Sequence, residues 1–358
     1  MNKYELSIIL PCYKVAQYIE KCVNSILQQD FNNYEVIIID DGSPDNLLKI
    51  CKQWESLVNF KIQSFPNQGL SQARNEGLKI AQGKYIYFLD PDDYIEPNTF
   101  SYCYNLLEKY QADAIRFGFK ATDVTNQNSW TSNSPDKIYL SNQEIIKEYL
   151  PKFIGHSRND LNIKDYNDIW KNKEFAGVPL FIYRREVLIK NQIIFPKGVS
   201  LVEDKIFNAH FFCYAKCIIN INKVFYNYFI KPSGLMLGSL HNPEGLIKNK
   251  IDGVIERDKL RDLYLQEHNI DILYMYYGSL ILSGFELCLK LSSIKFTIGY
   301  KGLKKYLTLP TVKNIFKNVK YKNLPLKVKL PIFCIKNNLT IFLFIGLFII
   351  RRLKINIK

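Results

Sequence analysis

Tyr85-Ile86-Tyr87-Phe88-Leu89-Asp90-Pro91-Asp92-Asp93 decides the reading of this chain, because a run of aromatic and branched residues stops abruptly in three carboxylates. The apolar part has the composition of a strand buried on both faces. Pro91 cannot continue a ladder, so the carboxylates belong at the strand's C-terminal end. In open α/β sheets that edge is where ligands bind. Three acids within four positions repel one another unless a cation sits among them. Mg²⁺ or Mn²⁺ meets that need, held by one or two carboxylates and completed by substrate phosphate oxygens. The plainer alternative is an acidic turn capping a helix that begins near Pro97.

Upstream of this stretch, strands and helices alternate. Residues 6–11 read as a first buried strand, followed by a helical pattern from Val15 to Leu27. Residues 36–39 form a second strand that runs into Asp40-Asp41-Gly42-Ser43, and Ser43-Pro44 has the N-cap and first-turn order of a helix start. Residues 60–65 are a third strand, and Asn67-Gln68-Gly69 turns the chain into a helix ending near Gly83. Such alternation with short joins argues for an α/β fold with a largely parallel sheet flanked by helices. Asp40-Asp41 and Asp90 to Asp93 then leave the sheet at one edge. Leu10-Pro11-Cys12-Tyr13-Lys14 contains no glycine, which excludes a dinucleotide fingerprint and a P-loop after the first strand. Pro11 and Tyr13 instead offer backbone carbonyls and a ring suited to a base and ribose, or merely a structural turn.

With 358 residues and 47% hydrophobic content, the chain is long enough for a real core and more than one unit. Its eight cysteines form no CxxC pair, which favours reduced thiols in a cytosolic compartment. No charged and apolar leader precedes the first strand. The net charge of +14 is unevenly placed: from Leu287 onward there are 16 Lys and Arg and no acid, which leaves −2 for residues 1–286. An anionic partner for the C-terminal segment follows, a membrane surface or a nucleic acid.

Four stretches carry a resemblance. Ser-Ile-Ile-Leu-Pro-Cys-Tyr-Lys-Val (7–15), Val-Ile-Ile-Ile-Asp-Asp-Gly-Ser (36–43), Gly-Leu-Ser-Gln-Ala-Arg-Asn-Glu-Gly (69–77) and Gly-Lys-Tyr-Ile-Tyr-Phe-Leu-Asp-Pro-Asp-Asp (83–93) resemble, in order and spacing, the motifs of glycosyltransferase family 2, an inverting group with the GT-A fold. The resemblance implies that Pro11 and Tyr13 line a uracil pocket and that Asp41 accepts a hydrogen bond from the base. It implies that Asp92 binds the metal and that Asp90 lies on the ribose side or on metal-bound water. Arg74 either meets phosphate or sits in a structural ion pair.

The middle of the chain is less regular. Residues 112–117 read as a strand, 122–135 as a loop or edge hairpin, 142–150 as a short helix and 156–173 as a mobile surface segment. Glu203-Asp204 opens an apolar helix, an ordinary place for acids. The family carries an acidic pair here on the acceptor side, which implies that Asp204 is the general base and that Glu203 orients the acceptor or the loop. Inversion requires such a base, because the acceptor hydroxyl must lose its proton as the diphosphate departs. Residues 224–235 resemble the family's Tyr-x-Tyr-x-x-Arg-x-x-Ser stretch, with Lys231 where Arg is usual; the charge is kept and the bidentate fork is lost for any diphosphate contact. His210 and His241 read as packing or surface residues.

Residues 243–291 have helical spacing, and 339–350 are an apolar run of 12 with basic flanks, short of the roughly 20 residues that span a bilayer. A monotopic anchor, a buried packing helix or a dimer contact fits it. The expected organisation is a nucleotide-sugar-binding half (1–110), an acceptor-side half with the acid pair (111–240) and a helical, basic extension (241–358). The expected protein is a metal-dependent inverting glycosyltransferase using Mn²⁺ or Mg²⁺ and a nucleotide sugar such as a UDP-sugar. Its acceptor would be a glycan or lipid-linked oligosaccharide, and its place peripheral on the inner face of the cell membrane, with no nucleic acid partner. The rivals are a sugar nucleotidyltransferase on a related sheet and a non-catalytic membrane- or nucleic-acid-binding protein.

Overall fold

The computed structural model describes residues 3–157, 159–162, 174–231, 242–292, 294–322, 324 and 326–352. The backbone clusters into two compact units, 1–150 with 175–234 and 151–174 with 235–358.

The first unit is built on one sheet. Its strands are β1 (Tyr4–Cys12), β2 (Tyr34–Asp40), β3 (Phe60–Ser64), β4 (Gly83–Phe88), β5 (Tyr94–Ile95), β6 (Ala114–Asp123), β7 (Ser129–Ser132), β8 (Lys137–Tyr139), β9 (Phe181–Arg184) and β10 (Ile218–Ile230). The order is β3-β2-β1-β4-β9-β6-β10-β5, with β7 on β6 and β8 on β10. The α/β class read from the sequence is what the chain adopts. β1 to β4 run parallel to one another, and β6 is parallel to β10. β9 makes the sheet mixed, because it runs antiparallel to both β4 and β6. The 122–135 stretch is a hairpin, with β7 antiparallel to β6.

Helices of this unit include α1 (Ile19–Leu27), α2 (Leu47–Cys51), α3 (Leu70–Ile80), α4 (Thr99–Tyr110), α5 (Arg185–Lys190) and α6 (Glu203–Tyr214), and residues 142–149 form the short helical stretch read from the sequence. β4 is buried on both faces, as its composition requires. Tyr87 meets Phe100 of α4 on one side, and Phe88 meets Phe195 and Phe207 on the other, the latter from α6. Phe195 and Phe207 stack 4.1 Å apart at 7°. Edge-to-face and offset pairs of this kind add to area burial by about 0.5–1.5 kcal/mol each.

Two local readings change. Ser43-Pro44 does not open a helix: α2 begins at Leu47 after Asn46, and the Ser43 hydroxyl accepts from the Lys14 N–H at 3.2 Å. Its neighbour across the loop outcompetes a cap. The 156–173 stretch does not begin on the surface either, because His156 is buried and its N–H donates to Ser279 Oγ at 2.7 Å; residues 158 and 163–173 lie outside the described residues.

The second unit carries helices α7 (Pro243–His268), α8 (Leu273–Leu291), α9 (Phe296–Leu307), α10 (Pro310–Asn318), α11 (Leu326–Lys336) and α12 (Thr340–Arg352). No helix among the described residues is long and apolar enough to cross a membrane.

α3 lies close to the sheet because Gly77 faces Ile9 of β1, where an added Cβ would stand 2.3 Å from Ile9 Cγ2. Gly77→Ala gains about 1 kcal/mol of helix propensity but forces this contact apart, and overpacking costs about 1–3 kcal/mol. The expected result in urea unfolding is a net loss of stability; an Ala variant as stable as the parent would show that α3 is free to shift.

Candidate active site

Parallel register brings the acidic strand ends to one edge. Cys12 pairs with Asp40 and Asp40 with Ser64, while Ile9 pairs with Phe88 and also accepts the Leu89 N–H, so Asp41 and Asp90 follow immediately beyond neighbouring strands. The helix after the second acidic cluster starts at Thr99 with no acid in its first turn. Capping that helix is therefore not what Asp90, Asp92 and Asp93 do.

α3 ties this edge to the acid pair far along the chain. Its N-cap is Gly69, at φ +92°, a conformation that glycine adopts without strain. Asp41 holds this start: Oδ1 accepts from the Gln68 N–H at 2.7 Å and Oδ2 from the Gly69 N–H at 2.8 Å. One face of α3 then presents Ser71, Arg74 and Asn75. Ser71 Oγ donates to the Val199 carbonyl at 3.3 Å, and the Asn75 amide both donates to and accepts from the Phe195 backbone at 2.9 Å. Arg74 completes the set. Nη2 donates to Asp90 Oδ1 at 2.9 Å and Nη1 to Asp204 Oδ1 at 2.7 Å, with the guanidinium 5.1 Å from the Phe195 ring centre. Asp204 Oδ2 also accepts from the Val178 N–H at 3.1 Å.

Each strand-end acid is met differently. Asp90 shares Arg74. Asp92, whose side chain is 37% exposed, pairs through Oδ2 with Lys231 Nζ at 2.7 Å. That ammonium also lies 3.5 Å from the Tyr18 ring centre, a cation–π placement. Asp93 is withdrawn into the interior, accepting from the Tyr226 hydroxyl and, at 2.8 Å, from the Phe229 N–H. Pro11 is buried in β1, and Tyr13 stands exposed just past it. Of the two histidines singled out in the sequence, His210 lies on α6, where burial pushes its pKa down to about 4, and His241 lies outside the described residues. Tyr226, Ser71 and Tyr18 are the contributors that sequence reasoning passed over; only Tyr226 carried a signal, in its aromatic motif.

Burial raises the Asp93 carboxyl well above its usual range, with Asp92 and Asp90 adding to the effect. Burial raises Asp90 too, and Arg74 opposes it. The Arg74 cation is disfavoured by burial, yet Asp204 and Asp90 more than offset this and hold its pKa above the ordinary value. Glu203 is pushed up to about 7 by burial and then by the neighbouring Asp204 charge, and its Oε2 is buried without a partner among the described residues.

The donor set fits a divalent cation of the phosphate-sharing kind. Asp92 is open to solvent, and Asp90 leaves Oδ2 with no hydrogen-bond partner among the described residues. No cluster of three His, Cys, Asp or Glu side chains that could hold a metal alone occurs among those residues. Two acids with open positions are what Mg²⁺ or Mn²⁺ uses when substrate phosphates complete its shell. A cavity of about 510 Å³ lined by Lys84, Arg184 and Lys190 lies at the other end of β4 and contains none of these acids.

A family model, Glycosyl transferase family 2, matches residues 7–191. The uncharacterized glycosyltransferase EpsJ of Bacillus subtilis is 28% identical over 236 residues, 64% of this chain and 62% of that protein. The poly(ribitol-phosphate) beta-N-acetylglucosaminyltransferase TarS of Staphylococcus aureus is 25% identical over 296 residues, 80% of this chain and 47% of that protein. The chain thus spans less than two thirds of the length of either relative. In fold it is similar to the crystal structure of S. aureus TarS 1-349 in complex with UDP-GlcNAc, with a TM-score of 0.62 at 18% identity, covering 98% of this chain and 92% of that one.

Two outcomes are expected from this geometry. Arg74→Lys keeps the charge but a single ammonium cannot fork between Asp90 and Asp204, so urea unfolding should show a loss of about 1.5–3 kcal/mol, the size of a charged hydrogen bond. Glu203 binds its proton more tightly folded than unfolded, so its contribution to stability is present at low pH and is lost as pH rises from about 4.5 towards 7. The melting temperature of Glu203→Gln relative to the parent should therefore rise between pH 5 and pH 8; a difference that stays flat with pH would place Glu203 in a solvated setting.

Proposed function

Because this chain belongs to glycosyl transferase family 2, we propose that it is an inverting glycosyltransferase, moving a sugar from a UDP-sugar-type donor to a glycan or lipid-linked oligosaccharide in cell-surface polysaccharide synthesis. The observation that carries this reading is the buried Arg74 bridge, which ties an acid at the donor edge to an acid at the start of α6. The N-acetylglucosaminyltransferase name of TarS and the UDP-GlcNAc in its crystal structure favour an N-acetylhexosaminyl donor.

In this reading Pro11 and Tyr13 hold the base. Asp41 accepts from it with the lone pairs left over from the Gln68 and Gly69 amides. Asp92, with Asp90 beside it, would hold a Mn²⁺ or Mg²⁺ ion, which supplies charge neutralisation for the departing diphosphate when bound. Lys231 is placed by its Asp92 contact to add a second positive charge on the same side. The acceptor hydroxyl oxygen attacks the anomeric carbon from the face opposite the diphosphate, the carbon–oxygen bond to the diphosphate breaks with its electron pair, and the hydroxyl proton passes to Asp204. Arg74 orients that carboxylate. Glu203 is the second candidate for the proton, favoured by its partner-free Oε2 and its pKa near 7, where a general base works best. The basic C-terminal segment fits a peripheral place on an anionic membrane surface.

Purified protein incubated with a panel of nucleotide sugars and Mn²⁺ should release nucleotide from one of them. Asp92→Asn is expected to abolish release through lost metal affinity. Asp204→Asn should keep nucleotide affinity and stop transfer, while Glu203→Gln still transfers measurably. The reverse pattern for the two helix acids would assign the proton to Glu203, and no release from any donor would remove the reading.

A further inference from the structure

Helices α11 and α12 are apolar in two directions at once. Ile332 and Ile335 of α11 are buried, as is Phe344 of α12, whose ring meets Phe296 at 5.5 Å and Tyr300 at 5.8 Å. That inward contact satisfies one face of each helix. The other face is exposed and still apolar. Leu326, Leu330 and Phe333 follow one another at i, i+4 and i+7 on α11, and Ile341, Phe342 and Ile349 occupy an arc of about 100° on α12. Leu326 is 74% exposed and Phe342 67%. Water is a poor solvent for such stripes, so a partner with an apolar phase is called for.

The surrounding charge identifies it. Every charged side chain from residue 287 onward is a Lys or Arg, 16 in all. A second copy of the chain would bring like charges together around the same stripes. Nucleic acid would match the charge but offers phosphates to apolar side chains. An anionic bilayer matches both, with headgroups for the lysines and the acyl boundary for the leucines and phenylalanines. We propose that the outward stripes of α11 and α12 are a docking surface that inserts into the interfacial layer of an anionic membrane, its lysines against the headgroups. Neither helix spans the bilayer in this arrangement; each lies at its surface.

Sedimentation of the full chain with vesicles tests this, and it reads lipid binding alone, so its failure is distinguishable from a failure of sugar transfer. The protein should sediment with phosphatidylcholine–phosphatidylglycerol vesicles, weakly with phosphatidylcholine alone, and less at high salt. Leu330→Ser/Phe342→Ser should lower partitioning about tenfold or more without changing the far-UV thermal transition. Lys329→Gln/Lys336→Gln, which gives up the 3.5 Å contact of Lys336 Nζ with the Val319 carbonyl, should weaken binding and flatten its salt dependence. The proposal is overturned if the full chain ignores anionic vesicles or if both variants bind as the parent does. A dimer that the Ser variant dissociates, with no lipid binding, would assign the surface to a second copy instead.

Discussion

One guanidinium holds the first unit of this protein in register. Arg74 is almost fully buried, and a buried cation is tolerated only where carboxylates and hydrogen bonds replace the water it has lost. Two acids from opposite ends of the first unit, Asp90 and Asp204, supply that replacement. Removing one member of such a buried set costs about 3–5 kcal/mol, because the remaining charge is stranded. Folding therefore favours the one chain path that brings the strand end and the helix start together. Ser71 and Asn75 reinforce it from the same face of α3 by fixing the backbone at Val199 and Phe195. α3 thus fixes the start of α6 through Arg74 and the loop before it through Ser71 and Asn75.

The same edge shows how like charges are kept apart. Asp93 gives up water for a tyrosine hydroxyl and an amide, Asp90 leans on Arg74, and Asp92 is the most open of the three, with Lys231 as its counter-ion. A sequence of three acids is thus three environments. The interior one steadies β10 against the turn, the middle one belongs to the bridge, and the outer one is free to exchange partners. Among the described residues the Lys231 ammonium meets the Tyr18 ring and Asp92, with no competing acid. A charge held by a single, partly exposed carboxylate and a ring is the most easily displaced of the set.

How much of this was legible in the sequence depends on range. β1 to β4 and their helices were legible because buried parallel strands write continuous apolar runs and the joins between them are short. The acids at strand ends were legible for the same reason, since Pro91 marks where the ladder stops. β9 was not legible as the strand that turns the sheet mixed: Phe-Ile-Tyr-Arg is too short to show a period, and its neighbours β4 and β6 are distant in sequence. The Arg74–Asp204 contact was beyond reach for a related reason. Ala-Arg-Asn and Glu-Asp each read as ordinary helix composition, and nothing local says that they face one another. Ser43-Pro44 misled because a good cap sequence loses when a loop amide, here that of Lys14, offers the hydroxyl a tertiary partner.

The helical unit obeys a different rule. In the sheet unit the most exposed apolar residues, Val58 and Leu140, stand singly in loops. In α11 and α12 the apolar content exceeds what one packed face can absorb, so exposure on the second face follows from composition alone. Phe344 shows the limit: a single ring between Phe296 and Tyr300 closes the inward side of α12, and Phe342, two positions away and so about 160° around the helix, must look outward. Adding acids to that outer face would have been the simple route to a water-facing helix. The chain instead has only Lys and Arg among its charged residues from 287 onward, which leaves the apolar surface intact and sets the sign of what can approach it.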